Sequence, residues 1–307
     1  MTILAFNIEC TRDHFGGRFD NLVGVWYNRE NQRWSIGMAD NQFFFLGNSS
    51  HSQMMGCVMK TPTKTVVIDG GSCGDWEQLT RMLSEQCGGH VDGWFFTHPH
   101  HDHIGAYCEM AKKAPHIKVD KLYQCFPKME ELEMRESRRP DEKALWAFME
   151  SPAQADKTHR LAPGECFTFD GVSIRVLRVF DPAITVNFIN NSSAVFHVSS
   201  AEKSFLILGD LGKEGEQRLI DECPLTLLQT DYTQMAHHGQ KGVSRAFYEY
   251  IQPKACLWAA PEWLWNNDMG DGFDSGPFDT VRTREWMQAL GVTVHYISKD
   301  GTHIIDF

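Results

Sequence analysis

Short apolar runs alternate with amphipathic stretches along most of this 307-residue chain, and this alternation restricts the fold more than any other feature. Aromatic and β-branched runs are typical of strands, whereas apolar residues at helical spacing predict helices. Strands are expected at 43–46, 54–59, 65–68, 93–97, 119–123, 166–169, 172–180, 194–198, 204–208, 232–236, 255–259, 292–297 and 302–306, with the last two paired as a closing hairpin. Helices are expected at 75–87, 104–113, 130–150 (broken at Pro140), 217–223, 244–251 and 281–290. The pattern predicts one α/β domain over residues 1–307, with residues 1–42 as an N-terminal edge extension.

Composition narrows the class of protein. The chain has 29 Lys and Arg against 40 Asp and Glu, a formal charge of −11, which disfavours nucleic acid as a partner because phosphate contacts need a basic face. No apolar run approaches the length of a membrane-spanning helix, and the first residues do not resemble a signal peptide. The nine cysteines are scattered, with no CxxC pair, so a cytoplasmic location without a cysteine-based zinc site is expected.

Residues 97–105 read THPHHDHIG and directly follow the predicted buried strand at 93–97. His98 and His100 are two apart, so in an extended segment their side chains point the same way and can bind one metal ion. Asp102 and His103 come where the chain turns into a helix and can reach a second metal ion, while His101 should point elsewhere. The alternative is a solvated histidine-rich loop.

Two further strand ends carry residues of the same types. Asp210 follows the strand at 204–208, and His237 with His238 follows the strand at 232–236. Considered alone, Asp210 could be a turn aspartate, and His237 with His238 could be the polar end of a loop. Because ligands of α/β sheets gather outside strand ends, the three segments together predict one shared site.

These motifs resemble those of the metallo-β-lactamase superfamily. The chain has the family's order of an early strand ending in IDGG (68–71), then HxHxDH (98–103), then GD (209–210), then HHG (237–239). The resemblance covers roughly residues 43–307. It implies an α/β fold of four layers, an αβ/βα sandwich, with a dinuclear metal site at one edge of the paired sheets.

One segment departs from the commonest family pattern, in which another histidine lies between HxHxDH and GD. Here residues 190–193 read NNSS, which resembles the subgroup of the competence-protein hydrolase domain and the phosphorylcholine esterases, where that histidine is absent. His197 is the remaining candidate for the missing ligand. It lies in the middle of a predicted strand with Val195 on its own face, so we expect a packed strand histidine.

Carried over to this chain, the resemblance implies a full set of metal ligands. His98 and His100 would bind the first ion, Asp102, His103 and His238 the second, and Asp210 both, with His237 as the alternative to His238. Asp69, in IDGG, would orient a ligand histidine by hydrogen bonding, the alternative being a turn aspartate.

The implied chemistry is hydrolysis by water activated between two divalent ions, with Asp102 and Asp210 as catalytic residues. Zinc is expected, with manganese or iron as alternatives, since N and O ligands suit all three. No GxSxG, Walker or GxGxxG motif competes with this interpretation. The expected substrate is a small phosphodiester. The alternatives are a carboxylic ester, thioester or lactone substrate, or a non-catalytic metal-binding protein.

A tryptophan-rich segment, residues 259–268, follows a predicted strand of the sheet. Trp263 or Trp265 would hold a quaternary ammonium group of the substrate by a cation–π contact. The alternative is that both are ordinary packing tryptophans.

Overall fold

A computed structural model describes residues 25–28, 33–36, 41–135 and 140–307. The strands, in chain order, are β1 (Val25–Asn28), β2 (Arg33–Ile36), β3 (Gln42–Phe45), β4 (Gly56–Lys60), β5 (Thr65–Asp69), β6 (His90–Val91), β7 (Gly93–Phe95), β8 (Lys118–Val119), β9 (Leu122–Gln124), β10 (Thr158–Arg160), β11 (Cys166–Phe169), β12 (Val172–Arg178), β13 (Val195–Ser199), β14 (Ser204–Ile207), β15 (Tyr232–Gln234), β16 (Ala255–Trp258), β17 (Val294–Ile297) and β18 (His303–Asp306). The helices are α1 (Trp76–Cys87), α2 (His101–Lys113), α3 (Met129–Arg135), α4 (Pro140–Met149), α5 (Pro152–Ala155), α6 (Phe188–Asn191), α7 (Lys213–Glu222), α8 (Leu225–Leu228), α9 (Arg245–Ile251), α10 (Glu262–Trp265) and α11 (Thr280–Ala289). Short 3₁₀ turns occupy Cys73–Asp75, Ala236–Gly239 and Ser298–Asp300.

The chain divides into two compact units, Met1–Asp40 and Asn41–Phe307. In the first unit, β1 and β2 pair antiparallel as a hairpin. Most of the predicted edge extension over residues 1–42 lies outside the described residues, so that assignment stays a prediction.

The second unit contains two seven-stranded sheets, each half antiparallel and half parallel. The first has the strand order β10-β9-β7-β5-β4-β3-β18, and the second has the order β11-β12-β13-β14-β15-β16-β17. In the first sheet β5, β7, β9 and β10 run parallel. In the second sheet β14 to β17 run parallel. Parallel strands place their carboxyl ends at one edge of a sheet, which is where ligand-binding side chains collect.

Alternate residues of each strand pack into different cores, as the two-residue repeat of a strand requires. Phe43 and Phe45 lie in the core between the sheets, and Phe43 stacks on Phe205 of the other sheet with ring centroids 4.0 Å apart. Phe44, from the opposite face of β3, packs in the core beneath α1, α2 and α4. A third core lies between the second sheet and its own helices, with Leu206 among its residues. Three cores separate four layers, which confirms the predicted αβ/βα sandwich.

Two local expectations are confirmed by the backbone. β11 and β12 form the hairpin expected around Asp170 and Gly171, both of which have positive φ angles, 46° and 85°. A two-residue turn with both residues in that region matches the twist of the strands. Pro140 is the first residue of α4, where proline is tolerated, and so separates α4 from α3.

The predicted hairpin at the end of the chain is wrong. β17 pairs parallel with β16 in the second sheet, whereas β18 pairs antiparallel with β3 in the first. The reason is packing. Ile305 and Phe307 are buried in the core between the sheets, and the chain can place them there only if β18 does not pair with β17. Burying each such side chain stabilises the fold by about 1.5–3 kcal/mol, which outweighs the local turn preference of Asp300 and Gly301.

In the described part of the chain, none of the helices is long and apolar enough to span a membrane.

Candidate metal centre

The segment after β7 brings four of the predicted residues together. β7 ends at Phe95, and α2 begins at His101, so that Asp102 and His103 lie in the first helical turn. The ring atoms His98 Nε2 and His100 Nδ1 are 3.0 Å apart and converge from the extended segment before the helix. His98 Nε2 is also 3.6 Å from Asp210 Oδ2, so His98, His100 and Asp210 form one group of ligand atoms.

A second group consists of Asp102, His103, Asp210 and His238, with ligand atoms that all lie within 4.8 Å of one another. His103 Nε2 is 3.3 Å from Asp210 Oδ1, and His238 Nε2 is 3.0 Å from Asp102 Oδ2 and 3.5 Å from Asp210 Oδ2. Asp210 is common to both groups. The cluster can therefore hold metal ions, and its N and O atoms suit zinc, manganese or iron.

The atoms that face each other inside the second group lack hydrogen bonds. His103 Nε2, His238 Nε2 and Asp210 Oδ1 are buried and make no hydrogen bond to the described part of the protein. A buried polar atom without a partner costs about 1–3 kcal/mol. Three such atoms converging on one point are what a metal ion satisfies, so the residues present fit the group that the fold implies.

Asp69 orients two histidines of the cluster, His98 and His103, through hydrogen bonds. Its Oδ2 accepts hydrogen bonds from Thr97 Oγ1, at 2.7 Å, and from His103 Nδ1, at 2.8 Å, while its Oδ1 accepts from the Thr97 backbone N–H. Because Thr97 Oγ1 donates to Asp69, it accepts from His98 Nδ1 at 3.1 Å. With both Nδ1 atoms acting as donors, His98 and His103 present Nε2 lone pairs to the cluster. Asp69 has a φ of 56°, an angle that aspartate tolerates better than most residues.

The turn after β15 separates the roles of its two histidines. His237, His238 and Gly239 all have positive φ angles, 53°, 58° and 81°. His238 is buried, and its Nδ1 donates to the Ala259 carbonyl at 2.8 Å, which directs Nε2 toward Asp102. His237 Nδ1 instead donates to the Lys241 carbonyl at 3.3 Å, and its Nε2 is 3.7 Å from Asp210 Oδ2. His238, and not His237, belongs to the second group.

Residues 190–193 support the site in a way that sequence reasoning missed. The Asp210 backbone N–H donates to Ser193 Oγ at 3.0 Å, and the Gly212 N–H donates to Asn191 Oδ1 at 3.0 Å. The buried Arg178 guanidinium donates through Nη1 to the carbonyls of Asn191 and Ser193. The unusual NNSS run was the available signal for these contacts, whereas nothing in the sequence pointed to Arg178.

The other predicted residues belong to neither of the two groups. His197 is half-buried in β13 opposite Arg175 and is in neither of the two buried groups. His101 Nδ1 is 3.5 Å from Glu142 Oε1, on the side of α4. Trp263 Nε1 donates to the His51 carbonyl at 2.9 Å. The Trp265 ring has the Arg284 guanidinium 4.1 Å from its centroid and packs edge-on against Trp258.

Electrostatics differ between the two groups. Burial, helped by the nearby imidazole of His103, holds the pKa of His98 well below its ordinary value, and burial also lowers the pKa of His100. Burial alone would lower the pKa of His238 too, but Asp210 and Asp102 outweigh it and raise that pKa to about 10. The two carboxylates thus favour positive charge at the second group, and the first group favours neutral imidazoles, the form that binds metal.

Comparison with known proteins agrees with this architecture. A curated relative, ComE operon protein 3 of Bacillus subtilis, is 32% identical over 175 residues, or 55% of this chain. The chain matches only 20% of the length of that relative.

Two solved structures share the fold. The metallo-beta-lactamase fold protein YhfI from Bacillus subtilis has a TM-score of 0.51 at 12% identity and covers 87% of this chain and 100% of its own. The diiron beta-hydroxylase CmlA from Streptomyces venezuelae has a TM-score of 0.54 at 12% identity and covers 89% of this chain and 55% of its own. At this identity the likeness concerns the fold alone.

The family assignment rests on a wider match. The sequence profile of the metallo-beta-lactamase superfamily matches residues 57–255, which include every residue of the two buried groups. That span is well over half of the chain and includes the predicted HxHxDH, GD and HHG motifs. The chain therefore belongs to the metallo-beta-lactamase superfamily.

Proposed function

We propose that this protein is a dinuclear metal-dependent hydrolase that cleaves a phosphodiester. The metal-dependent part rests on the pair of buried groups that share Asp210, with ligand atoms left unpaired by the protein. The choice of a phosphodiester rests on the resemblance of residues 190–193, NNSS, to the phosphorylcholine esterase subgroup. His98, His100 and Asp210 would hold one ion, and Asp102, His103, Asp210 and His238 the other. Zinc is the proposed ion. When bound, such a pair of ions supplies an activated water and positive charge for a phosphoryl oxygen.

The protein's own residues would orient the ligand histidines and the attacking water. Asp69 and Thr97 keep His98 and His103 in one tautomer, and the Ala259 carbonyl does the same for His238. Asp102 accepts a proton or orients the attacking water from its position beside His238. The first group offers three protein ligands, one fewer than a closed structural zinc site, so an ion held there would remain accessible to water or to a substrate oxygen.

A substrate contact from α10 is part of the proposal. α10 begins three residues after Ala259, whose carbonyl holds His238, and Trp263 packs against Phe278 with ring centroids 5.5 Å apart. A quaternary ammonium group would lie on the Trp263 ring, whereas Trp265 already carries Arg284. Trp263→Ala should raise KM selectively for a choline phosphodiester, and an equal rise in KM for a phosphodiester without an ammonium group would reject this contact.

A metal analysis paired with a substrate panel tests the main proposal. Freshly purified protein is expected to contain about two divalent ions per chain and to hydrolyse bis(p-nitrophenyl) phosphate. Thioester, lactone and carboxylic ester substrates run in parallel, and hydrolysis of only these acyl substrates would reject the phosphodiesterase assignment. Full metal occupancy with no turnover in any assay would indicate a non-catalytic metal-binding protein.

The chemistry of the cysteines supports a reducing compartment. The eight cysteines in the described part of the chain are all free. We therefore propose a cytoplasmic location, because free thiols persist where disulfides are kept reduced.

A further inference from the structure

A groove of basic character lies beside the candidate metal centre. Its outer part is a cavity of about 180 Å³ lined by Lys213, Gln240, Lys241, Gly242, Val243, Arg245, Asp279, Arg282 and Trp286. Its inner part is a cavity of about 270 Å³ lined by Asn187, Gly212, Lys213, Glu214, Lys241, Gly242 and Asp279. Four lining residues are common to both cavities, so they form one continuous groove.

The inner end of the groove is joined to the metal centre by direct contacts. Asn187 Oδ1 accepts a hydrogen bond from Asn190 Nδ2 at 2.8 Å, and Asn190 Nδ2 is 3.4 Å from His237 Nε2. His237 Nε2 in turn is 3.7 Å from Asp210 Oδ2. Lys213 follows Asp210 by three residues, and the Lys241 carbonyl accepts the hydrogen bond of His237. The inner end of the groove is therefore separated from Asp210 by only two side chains, those of Asn190 and His237.

The charge of the groove changes along its length. In the inner part, Lys213 and Lys241 are balanced by Glu214 and Asp279. The outer part has four cationic side chains and one carboxylate, a formal charge of +3 in a chain whose total is −11. Arg245 shares its charge with Glu249, to which its Nε donates at 2.7 Å, while Arg282 lies over the Trp286 ring. Concave surfaces concentrate the field of such charges, so this part attracts anions.

We propose that the outer groove binds a second anionic group of the substrate, a phosphate a few bonds from the phosphodiester that is cleaved. The proposal rests on the proposed function, since it places the first phosphate at the metal centre. Lysine and arginine donate charge-assisted hydrogen bonds to phosphate oxygens, and the N-terminus of α7, at Lys213, adds the partial positive charge of the helix. The preferred substrate is then a small molecule with two phosphates rather than an isolated phosphodiester.

Equilibrium binding of simple bisphosphates tests this without requiring turnover. Ethanediol, butanediol and hexanediol bisphosphates are titrated calorimetrically into the metal-containing protein, each against its monophosphate. At the linker length that spans the two sites, the bisphosphate is expected to bind about tenfold more tightly than the monophosphate. In the Lys213→Gln/Lys241→Gln variant, that advantage should be lost or nearly lost, since two of the four cationic side chains of the outer groove, the two that also line the inner part, are removed.

The control variant is Lys118→Gln, which removes a lysine charge from β8, outside the groove. Lys118, Lys213 and Lys241 are all exposed, so circular dichroism should show folded protein in each case. The proposal is overturned if no bisphosphate outbinds its monophosphate, or if the advantage survives in the Lys213→Gln/Lys241→Gln variant. Retention of the advantage by a protein that cleaves no phosphodiester would reject the proposed function and leave the groove assignment standing.

Discussion

Two clusters of histidine and aspartate in this protein offer the same ligand types in different surroundings. The candidate metal centre at the strand ends is buried, and three of its polar atoms have no hydrogen-bond partner in the described protein. The other cluster, His90, Asp92 and Asp120, lies at the surface around β6 and β8 and also brings ligand atoms within 4.8 Å of one another. Ligand type and spacing are thus shared by both.

The difference lies in what the surface carboxylates already bind. Asp92 accepts hydrogen bonds from Lys64 Nζ at 2.8 Å and from the Thr65 backbone N–H at 2.9 Å. His90 Nε2 pairs with Asp120 Oδ2 at 2.9 Å in an exposed position, where water screens the interaction. A metal ion would gain little there, because the protein and solvent satisfy these groups. Burial without partners, rather than proximity, distinguishes a metal site.

The largest effect separating the two clusters is expected from Asp210→Asn. Asp210 is the carboxylate common to both buried groups, so an amide there weakens both metal sites. Hydrolytic activity should fall at least about a thousandfold, as expected when several kcal/mol of charge stabilisation are lost. Metal analysis and kinetics measure the loss, with Asp120→Asn as the control of unchanged activity. Near-normal turnover by Asp210→Asn would contradict the shared site.

Removal of metal should destabilise the fold by a smaller but clear amount. An ion that binds only the folded state, at a free concentration of 100 times its dissociation constant, adds about 2.7 kcal/mol to the free energy of unfolding. Removing it with a chelator should therefore lower Tm by roughly 5 °C. In His238→Ala one ligand set is incomplete, and the chelator shift should shrink. In His90→Ala the shift should equal that of the wild type. Identical shifts in all three proteins would show that the metal is bound elsewhere.

Asp69→Asn tests the contacts behind the ligands. An amide nitrogen in place of Oδ2 no longer accepts from Thr97 Oγ1 and His103 Nδ1, so the histidines lose their fixed tautomers. Metal affinity should fall about 10–100-fold while the protein still folds. Asp92→Asn is the matched control, a carboxylate that also accepts hydrogen bonds from a side chain and from a backbone N–H, and metal titration should show no change in the metal affinity of this variant. Equal metal affinities of the Asp69→Asn and Asp92→Asn variants would show that Asp69 does not support metal binding.

The smallest effect is expected from His90→Ala combined with Asp120→Ala. This pair is exposed, and exposed ion pairs contribute about 0–1 kcal/mol. Denaturant unfolding should detect a change of at most that size, and metal content should stay as in the wild type. A loss of bound metal here would mean that the surface cluster is a site after all.

Much of the fold follows from local patterns. Most of the predicted strands, the turn at Asp170 and Gly171 and the break at Pro140 lie where the sequence indicates, because short-range propensity and packing agree there. β10 was not predicted, and the single strand expected at 119–123 is divided between β8 and β9, which lie in different sheets. Pairing between distant strands is harder to predict, and β17 and β18 show why. Their sequence resembles a hairpin, but the partners that decide the outcome, β16 and β3, are far away in the chain.

The site shows the same division. The residues that converge, from His98 to His238, could be named from the sequence because each follows a strand and each has a metal-binding side chain. The contacts that orient them could not be named. Arg178 holds residues 191–193, and Ser193 accepts from the backbone of Asp210, yet these are ordinary residues until the chain brings them together.

The sequence by itself predicted an α/β domain, because hydrophobic periodicity is a property of neighbouring residues. The resemblance of its motifs implied the four-layer architecture, the family and the residue types of the candidate metal centre. Tertiary structure alone decided which sheet takes β18, and it places His238, which the motif resemblance favoured over His237, beside Asp102. It also decided that Lys213, Lys241 and Arg282 line one groove. Each of these depends on backbone direction and on contacts between segments far apart in the chain, where hydrogen-bonding and packing energies are summed over the whole fold.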